Sequence, residues 1–450
     1  GDGDVFAALA SIGAVAVSIQ TKVRVIALCI MGKVYRKLSS RDYTNCRTSG
    51  DMMMHLKRLK RPVAASVLSV GLIGLFAQMP YAEAATGDVQ DFSIHQHGQT
   101  PRALGMGNAF VGVADDFGAM FYNPAGLARL PEGQTNLELI HAGLDTKFPG
   151  FFSDIDRVSK TNNISEMVQL LESNYGNHFS ARIGALNAYL VRPRWGLALI
   201  PVDLTLELRV AQSVGPQLQV VAHQDTTLAY ARGWNIAVDG GKLSMGATAK
   251  AIYRGYFNKS ISAIELAFDS NILKAEDAAE GMTVDGDLGL LYTPQIPSSG
   301  FFSFLKYAKP TFGATVRNVA DYGFTSNFHV IDKYSREPNR LERRFDVGSM
   351  YELPDWWLWR SRLMVDVRDM GHTNFTLRKG LHMGAEFLWK VKSWFQGGWR
   401  VGVNQGYFTA GFNGDFAMFR LDLVTYAQEV GTTDTPKATR IYMAKMSLDF

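Results

Sequence analysis

Along much of the chain, apolar and polar residues alternate one by one over runs of about 10 residues. Leu381, Met383, Ala385, Phe387 and Trp389 share one parity, and His382, Gly384 and Glu386 share the other. Phe395, Gly397, Trp399, Val401 and Val403 alternate with Gln396, Gly398, Arg400, Gly402 and Asn404. Phe419, Leu421 and Leu423 alternate with Met418, Arg420 and Asp422. Successive side chains of a strand point to opposite faces, so each run has one apolar and one polar face. An amphipathic helix repeats at 3.6 and does not give this pattern.

Carried along the chain, the pattern predicts 14 strands. They lie near 135–145, 180–192, 195–210, 219–238, 242–256, 283–293, 310–319, 344–353, 359–369, 379–389, 395–404, 406–414, 416–426 and 439–450. An even number of such strands fits an all-β fold, a closed antiparallel transmembrane β-barrel. Closure also removes the sheet edges that would otherwise pair with other chains. The polar faces carry both signs, among them Lys250, Arg254, Asp287, Arg317, Glu386 and Arg400. Charges confined in a lumen are costly unless paired, so a salt-bridged interior is expected. Trp356, Trp357, Trp359, Trp389, Trp394, Trp399 and Tyr407 stand near strand ends, where interfacial girdles form.

Two stretches depart from period 2. In 161–176, Ile164, Met167, Leu170 and Leu171 follow Asn163 at helical spacing, which predicts a capped helix between the first two strands. Residues 260–281 read as a second insertion. After residue 84, no run approaches the 18 or more apolar residues of a transmembrane helix.

Composition changes little. A mean hydropathy of −0.04, with 47% hydrophobic and 20% charged residues, suits a soluble protein and a barrel equally, because the two faces average out. Both cysteines, Cys29 and Cys46, precede residue 52, so no disulfide framework, thiol nucleophile or cysteine metal site is available further on. The first 84 residues hold 11 of the 46 Lys and Arg and 5 of the 42 Asp and Glu, which leaves 35 against 37. That balance does not point to nucleic acid.

Residues 52–84 read as a secretory signal. His55, Lys57, Arg58, Lys60 and Arg61 form a basic start, 63–79 is apolar, and Ala82-Glu83-Ala84 fits a small-x-small cleavage site. Cleavage is expected after Ala84. Residues 1–51 are expected to be an upstream non-coding or unstructured extension. Their apolar runs at 5–19 and 23–31 are split by Lys22 and Arg24 and fall short of the roughly 20 residues that span a bilayer.

Residues 101–130 read PRALGMGNAFVGVADDFGAMFYNPAGLARL. Gly105 and Gly107 permit close backbone approach. Asp115 and Asp116 can cap a turn, and Asn123-Pro124 initiates one. Ala125 and Gly126 are small enough to pack in a confined space. This stretch resembles the start of the FadL-type outer-membrane barrels and their wider relatives, the PorV-like and TraF-like barrels. A second resemblance runs over 395–450, at Gly402-Val403-Asn404-Gln405-Gly406-Tyr407 and the final strand. It implies about 14 strands over 135–450 around a hatch formed by 85–134, with the motif residues serving hatch architecture. Tyr442, Ala444, Met446, Leu448 and Phe450 alternate up to a terminal aromatic, which resembles the signal read by the outer-membrane assembly machinery.

The resemblance further implies a protein of the Gram-negative outer membrane, in contact with its lipid, that takes up or passes hydrophobic small molecules, fatty-acid-like or aromatic. Phe148, Phe151, Phe152, Phe301, Phe302 and Phe304 are the apolar loop residues expected to capture such a ligand. The alternative is a PorV-like or conjugation-associated scaffold for secreted or transferred proteins. No serine-hydrolase motif, P-loop or dinucleotide fingerprint occurs, so no catalytic residue and no cofactor is assigned. His95 and His97 stand two apart and could share a metal, but no third ligand is evident in the sequence, and no metal is assigned either.

Overall fold

A computed structural model describes residues 93–450, apart from 214, 270, 298, 300, 332–335, 356–358, 393 and 432–435. The extension at 1–51, the signal at 52–84, and Trp356 and Trp357 lie outside the described residues. The alternating runs form 14 strands: Gln134–Asp145 (β1), His178–Arg192 (β2), Trp195–Gln212 (β3), Pro216–Val238 (β4), Gly241–Ser262 (β5), Ala279–Pro294 (β6), Thr311–Arg317 (β7), Arg344–Glu352 (β8), Trp359–Met370 (β9), Leu381–Lys392 (β10), Phe395–Asn404 (β11), Tyr407–Phe416 (β12), Phe419–Glu429 (β13) and Ala438–Asp449 (β14). Each pairs antiparallel with its neighbours in sequence, and β1 pairs with β14 to close the barrel. At the seam Thr135 and Phe450 exchange both backbone hydrogen bonds, each 2.9 Å long.

The two faces divide as the alternation requires. On β11, Trp399 is 52% exposed while the adjacent Arg400 is 3% exposed. Phe387, Leu421 and Leu423 face outward, and His382, Glu386 and Asp422 are buried inward. An outward apolar surface round a closed antiparallel wall is a lipid-facing band. Among the described residues, no helix is long and apolar enough to cross a membrane.

The two ends of the barrel differ. At one end most strands are joined by short turns, such as those between β2 and β3 and between β4 and β5, with a longer connection between β6 and β7, and exposed aromatics gather there: Trp195, Trp234, Tyr292, Trp394, Phe416 and Phe419. At the other end run the longer connections and the helices Phe148–Ser159 (α3), Ile164–Ser173 (α4) and Ala263–Phe268 (α5), named after two helices earlier in the chain, Pro101–Gly105 (α1) and Ala119–Tyr122 (α2). Helix α4 starts where the spacing predicts, with the Asn163 side chain accepting the Glu166 N–H at 3.2 Å. The connections between β3 and β4 and between β11 and β12 are short exceptions at the long-loop end. Gln405 and Gly406 both have positive φ, the two-residue hairpin geometry that matches strand twist.

Strands β3, β4 and β5 have 18, 23 and 22 residues, well beyond the roughly 10 that cross a bilayer. Their tops therefore stand clear of the band. Leu206, Leu208, Val210, Leu218, Val220, Phe257 and Ile261 there are buried in one apolar cluster with α3, α4 and α5. Lower down, the wall is interrupted. The β2–β3 ladder skips Leu186 and Asn187 opposite Ile200 and Pro201, Leu186 has φ +57°, and the β3–β4 register shifts by one residue at the same height. Proline has no N–H to give the ladder. The Pro201 carbonyl instead accepts the Thr226 hydroxyl at 2.9 Å.

Candidate functional site

The segment that precedes β1 touches strands on every side. Gln99 bonds Arg182 of β2, the Thr248 hydroxyl of β5 donates to the Met120 carbonyl at 2.8 Å, and Asn123 Nδ2 donates to the Leu290 carbonyl of β6 at 3.0 Å. The Phe110 and Val111 N–H groups both donate to Asp366 Oδ2 of β9, at 2.6 and 2.7 Å. The Thr409 hydroxyl of β12 donates to the Gly105 carbonyl at 3.1 Å, and Lys445 Nζ of β14 lies 4.8 Å from the Phe117 ring centroid. A segment that meets a closed wall all the way round lies within it. Its apolar side chains Phe110, Met120, Phe121, Tyr122 and Leu127 build a buried cluster with Tyr189, Ile200 and Ala229 of the wall.

Each motif residue has a place in this packing. Gly107 has φ +65°, and an added Cβ would run into the Met383 and Val403 carbonyl oxygens. At Gly126 it would run into the Ala114 carbonyl, and at Gly105 it would lie 3.1 Å from Gly411 Cα. Asn123 caps the 3-10 turn Pro124–Arg129 by accepting the Ala125 N–H, and its Nδ2 also donates to the Val111 carbonyl at 2.9 Å. Asp116 accepts the Gly118 N–H at 2.7 Å. Asp115 and Asp116 both receive Arg102 Nη1, at 2.7 and 2.8 Å.

The wall answers with glycines that alternation alone could not mark. A Cβ on Gly384 of β10 or Gly402 of β11 would collide with the Met106–Gly107 backbone. On Gly246 of β5 or Gly289 of β6 it would collide with Asn123-Pro124-Ala125. The available signal was a glycine at an inward parity on two adjacent strands.

The expected charge pairing is present. Lys250 holds Asp287 at 2.7 Å, Arg254 holds Asp225 at 2.7 Å, Arg317 holds Asp346 at 2.6 Å, Arg400 holds Glu386 at 2.8 Å, and Lys445 holds Glu138 at 3.2 Å. The segment joins this network. Arg102 reaches Glu386 of β10 at 2.7 Å, and Asp115 reaches Arg362 of β9 at 2.5 Å.

Space remains beside residues 95–97. A cavity of about 100 Å³ is lined by His95, His97 and Phe121 of the segment, by Lys250 and Arg254 of β5, and by Arg317, Arg344 and His372. His95 and His97 point the same way, toward β4, and Gln96 between them turns to Asn108, whose Nδ2 donates to it at 3.0 Å. Both histidines meet Asp225 of β4, 128 residues and more further along the chain. That is the third group the spacing of two histidines could not reveal.

Phe148 and Phe151 are buried on α3, with Phe152 partly buried against the same cluster. Phe151 stacks on Phe179 of β2, with ring centroids 4.1 Å apart. These rings hold the helices onto the strand tops. The apolar side chains that face solvent at this end are others, notably Ile264 and Phe268, one turn apart on α5 and 58% and 61% exposed. Phe301 and Phe302 begin a 3-10 turn, Phe301–Tyr307, at the short-turn end, and their side chains and that of Phe304 lie outside the described residues. Tyr442 and Phe450 are exposed on the outer face near the seam, with Leu448 partly so.

No protein-family model matches the chain, and no curated protein matches it. Among solved structures, the toluene transporter TbuX of Ralstonia pickettii aligns over 79% of this chain and 98% of its own, at 9% identity and a TM-score of 0.43. The Pseudomonas putida toluene transporter TodX aligns over 80% and 99%, at 10% identity and 0.41. A FadL homologue of Pseudomonas aeruginosa aligns over 80% and 99%, at 9% identity and 0.30. The barrel described above rests on its own strand pairing.

Proposed function

We propose that this barrel passes hydrophobic small molecules, fatty-acid-like or aromatic, across the outer membrane of a Gram-negative bacterium. The long-loop end faces outward and the short turns face the periplasm, the usual arrangement of such barrels. The observation that carries the reading is the filled lumen. Residues 101–130 are bound to strands on every side, and the cavity beside them is about 100 Å³. A barrel filled in this way does not serve free diffusion of water-soluble solutes. Three features suit an apolar passenger: the exposed Ile264 and Phe268 on α5, the apolar cluster that the cap of α3, α4 and α5 shares with the strand tops, and the interrupted wall at Leu186 and Pro201. In this reading residues 93–133 act as a hatch that shifts, and the passenger enters past the cap.

The test is native mass spectrometry of the barrel in mild detergent, combined with lipid extraction. Toluene is what the two named transporters carry by their names, so toluene and a long-chain fatty acid are the first probes. A bound apolar molecule that exchanges with either probe supports the proposal. An empty barrel that instead carries a secreted protein in fixed ratio overturns it in favour of a protein scaffold.

A further inference from the structure

We propose that His95, His97 and Asp225 form a divalent transition-metal site that ties the start of the hatch to strand β4. The three side chains offer ligand atoms within 4.8 Å of one another. His95 Nε2 and His97 Nδ1 each stand 3.2 Å from Asp225 Oδ2. Zinc takes nitrogen at about 2.0–2.1 Å and carboxylate oxygen at about 2.0–2.2 Å, so neighbouring ligands of a tetrahedral ion lie about 3.3–3.4 Å apart. Both measured spacings fall close to that edge. Asp225 is fully buried, and the side chains of His95 and His97 are 15% and 9% exposed.

The outer contacts fit the same reading. His97 Nε2 lies 2.5 Å from the Thr227 hydroxyl oxygen. With its proton on Nε2 and given to Thr227, the ring would present the Nδ1 lone pair toward Asp225, the tautomer that a metal ligand on Nδ1 needs. Arg344 Nη1 fixes the His95 carbonyl at 2.8 Å. Arg254 grips Asp225 as well, through Nε to Oδ1 at 2.7 Å and Nη2 to Oδ2 at 2.8 Å, and orients the carboxylate as a second shell does. His95 and His97 both line the cavity, from which water would complete the coordination.

The surroundings also choose the ion. With one carboxylate and with Arg254 and Lys250 close by, the site lacks the negative oxygen ligands that calcium and magnesium require. Two neutral imidazoles favour zinc, cobalt, nickel or copper. The ion would cross-link the hatch start to a wall strand, and its binding is read with no transported molecule present, so this inference stands or falls apart from the transport proposal.

The experiment uses the full chain extracted from membranes, with an affinity tag free of histidine. The chelated barrel is titrated with zinc by calorimetry and with cobalt by visible absorption. Heat-modifiable gel mobility confirms that each variant is folded. The expected result is one ion per barrel, a tetrahedral cobalt spectrum, and affinity lowered by roughly a hundredfold or more in His95→Ala and in His97→Ala, with about a tenfold loss in Thr227→Val. Absence of binding to the folded wild-type barrel overturns the proposal. So does binding that both histidine variants retain unchanged.

Discussion

Arg102 and Glu386 meet through two parallel hydrogen bonds, Nε to Oε1 at 2.8 Å and Nη2 to Oε2 at 2.7 Å. One residue belongs to the segment inside the barrel and the other to the wall, and both are buried. Removing one partner of a buried pair leaves the other charge without its counter-ion, at a cost of about 3–5 kcal/mol. Arg102→Ala also strips Asp115 and Asp116 of a shared donor. The variant should lose hydrogen-exchange protection across 101–130 while the strands keep theirs. In planar bilayers the parent should show no large steady conductance, and the variant should show frequent openings.

Gly384→Ala places a methyl group where the Met106 carbonyl lies. The wall cannot yield without breaking its ladder, so the segment must move. We expect a folded barrel with the same loosened 101–130 region. Gly414→Ala is the control, since the nearest atom to its Cβ is a Phe412 ring carbon 3.6 Å away. Equal exchange in the two variants would refute the account of the glycine contacts.

Phe151→Ala removes a buried ring that stacks on Phe179. Large-to-small changes of this kind cost about 3–5 kcal/mol in a packed core. The cap should become sensitive to protease between 146 and 177, and uptake of an apolar probe should fall with it. Intact uptake with a cleaved cap would separate the helices from ligand entry.

His372, in the connection after β9, has its pKa pushed down to about 3 by burial and by the charge of Arg344. Its Nδ1 accepts the Asn374 N–H at 3.0 Å, which only the unprotonated ring can do. The unfolded loop would take up a proton near pH 6.5. The folded loop therefore has its full stability above that pH and loses it as the pH falls toward 3, by at most about 1.4 kcal/mol per unit. Protection factors at 371–376, taken against the intrinsic exchange rate at each pH, should fall between pH 7 and pH 5, and His372→Gln should flatten that dependence.

Much of the wall was legible because its two faces have different solvents. Lipid demands Trp399 and Leu421 outward, while the filled lumen admits Arg400 and Asp422, and a period of 2 records the contrast. The tops of β3, β4 and β5 were harder to place. There Leu218 and Val220 leave the bilayer and are covered by helices, so an apolar side chain no longer marks a lipid-facing position. The segment within the barrel was legible as small residues and turn formers, Gly107 and Asn123-Pro124 among them. Its partners were not. Asp225 beside His95, Asp366 beneath Val111 and Gly246 against Pro124 are contacts across more than 100 residues. No local pattern encodes a distance of that kind.

The hydrogen bonds between Thr135 and Phe450 have a consequence for the order of events in biogenesis. They sit at the seam where the first strand meets the last, and the segment inside is joined directly to that first strand. Its backbone presses on Gly384, Gly402, Gly246 and Gly289 too closely to be threaded through a finished ring. The segment is therefore expected to be in place before β1 and β14 pair, so that the Thr135–Phe450 bonds close a ring that is already filled.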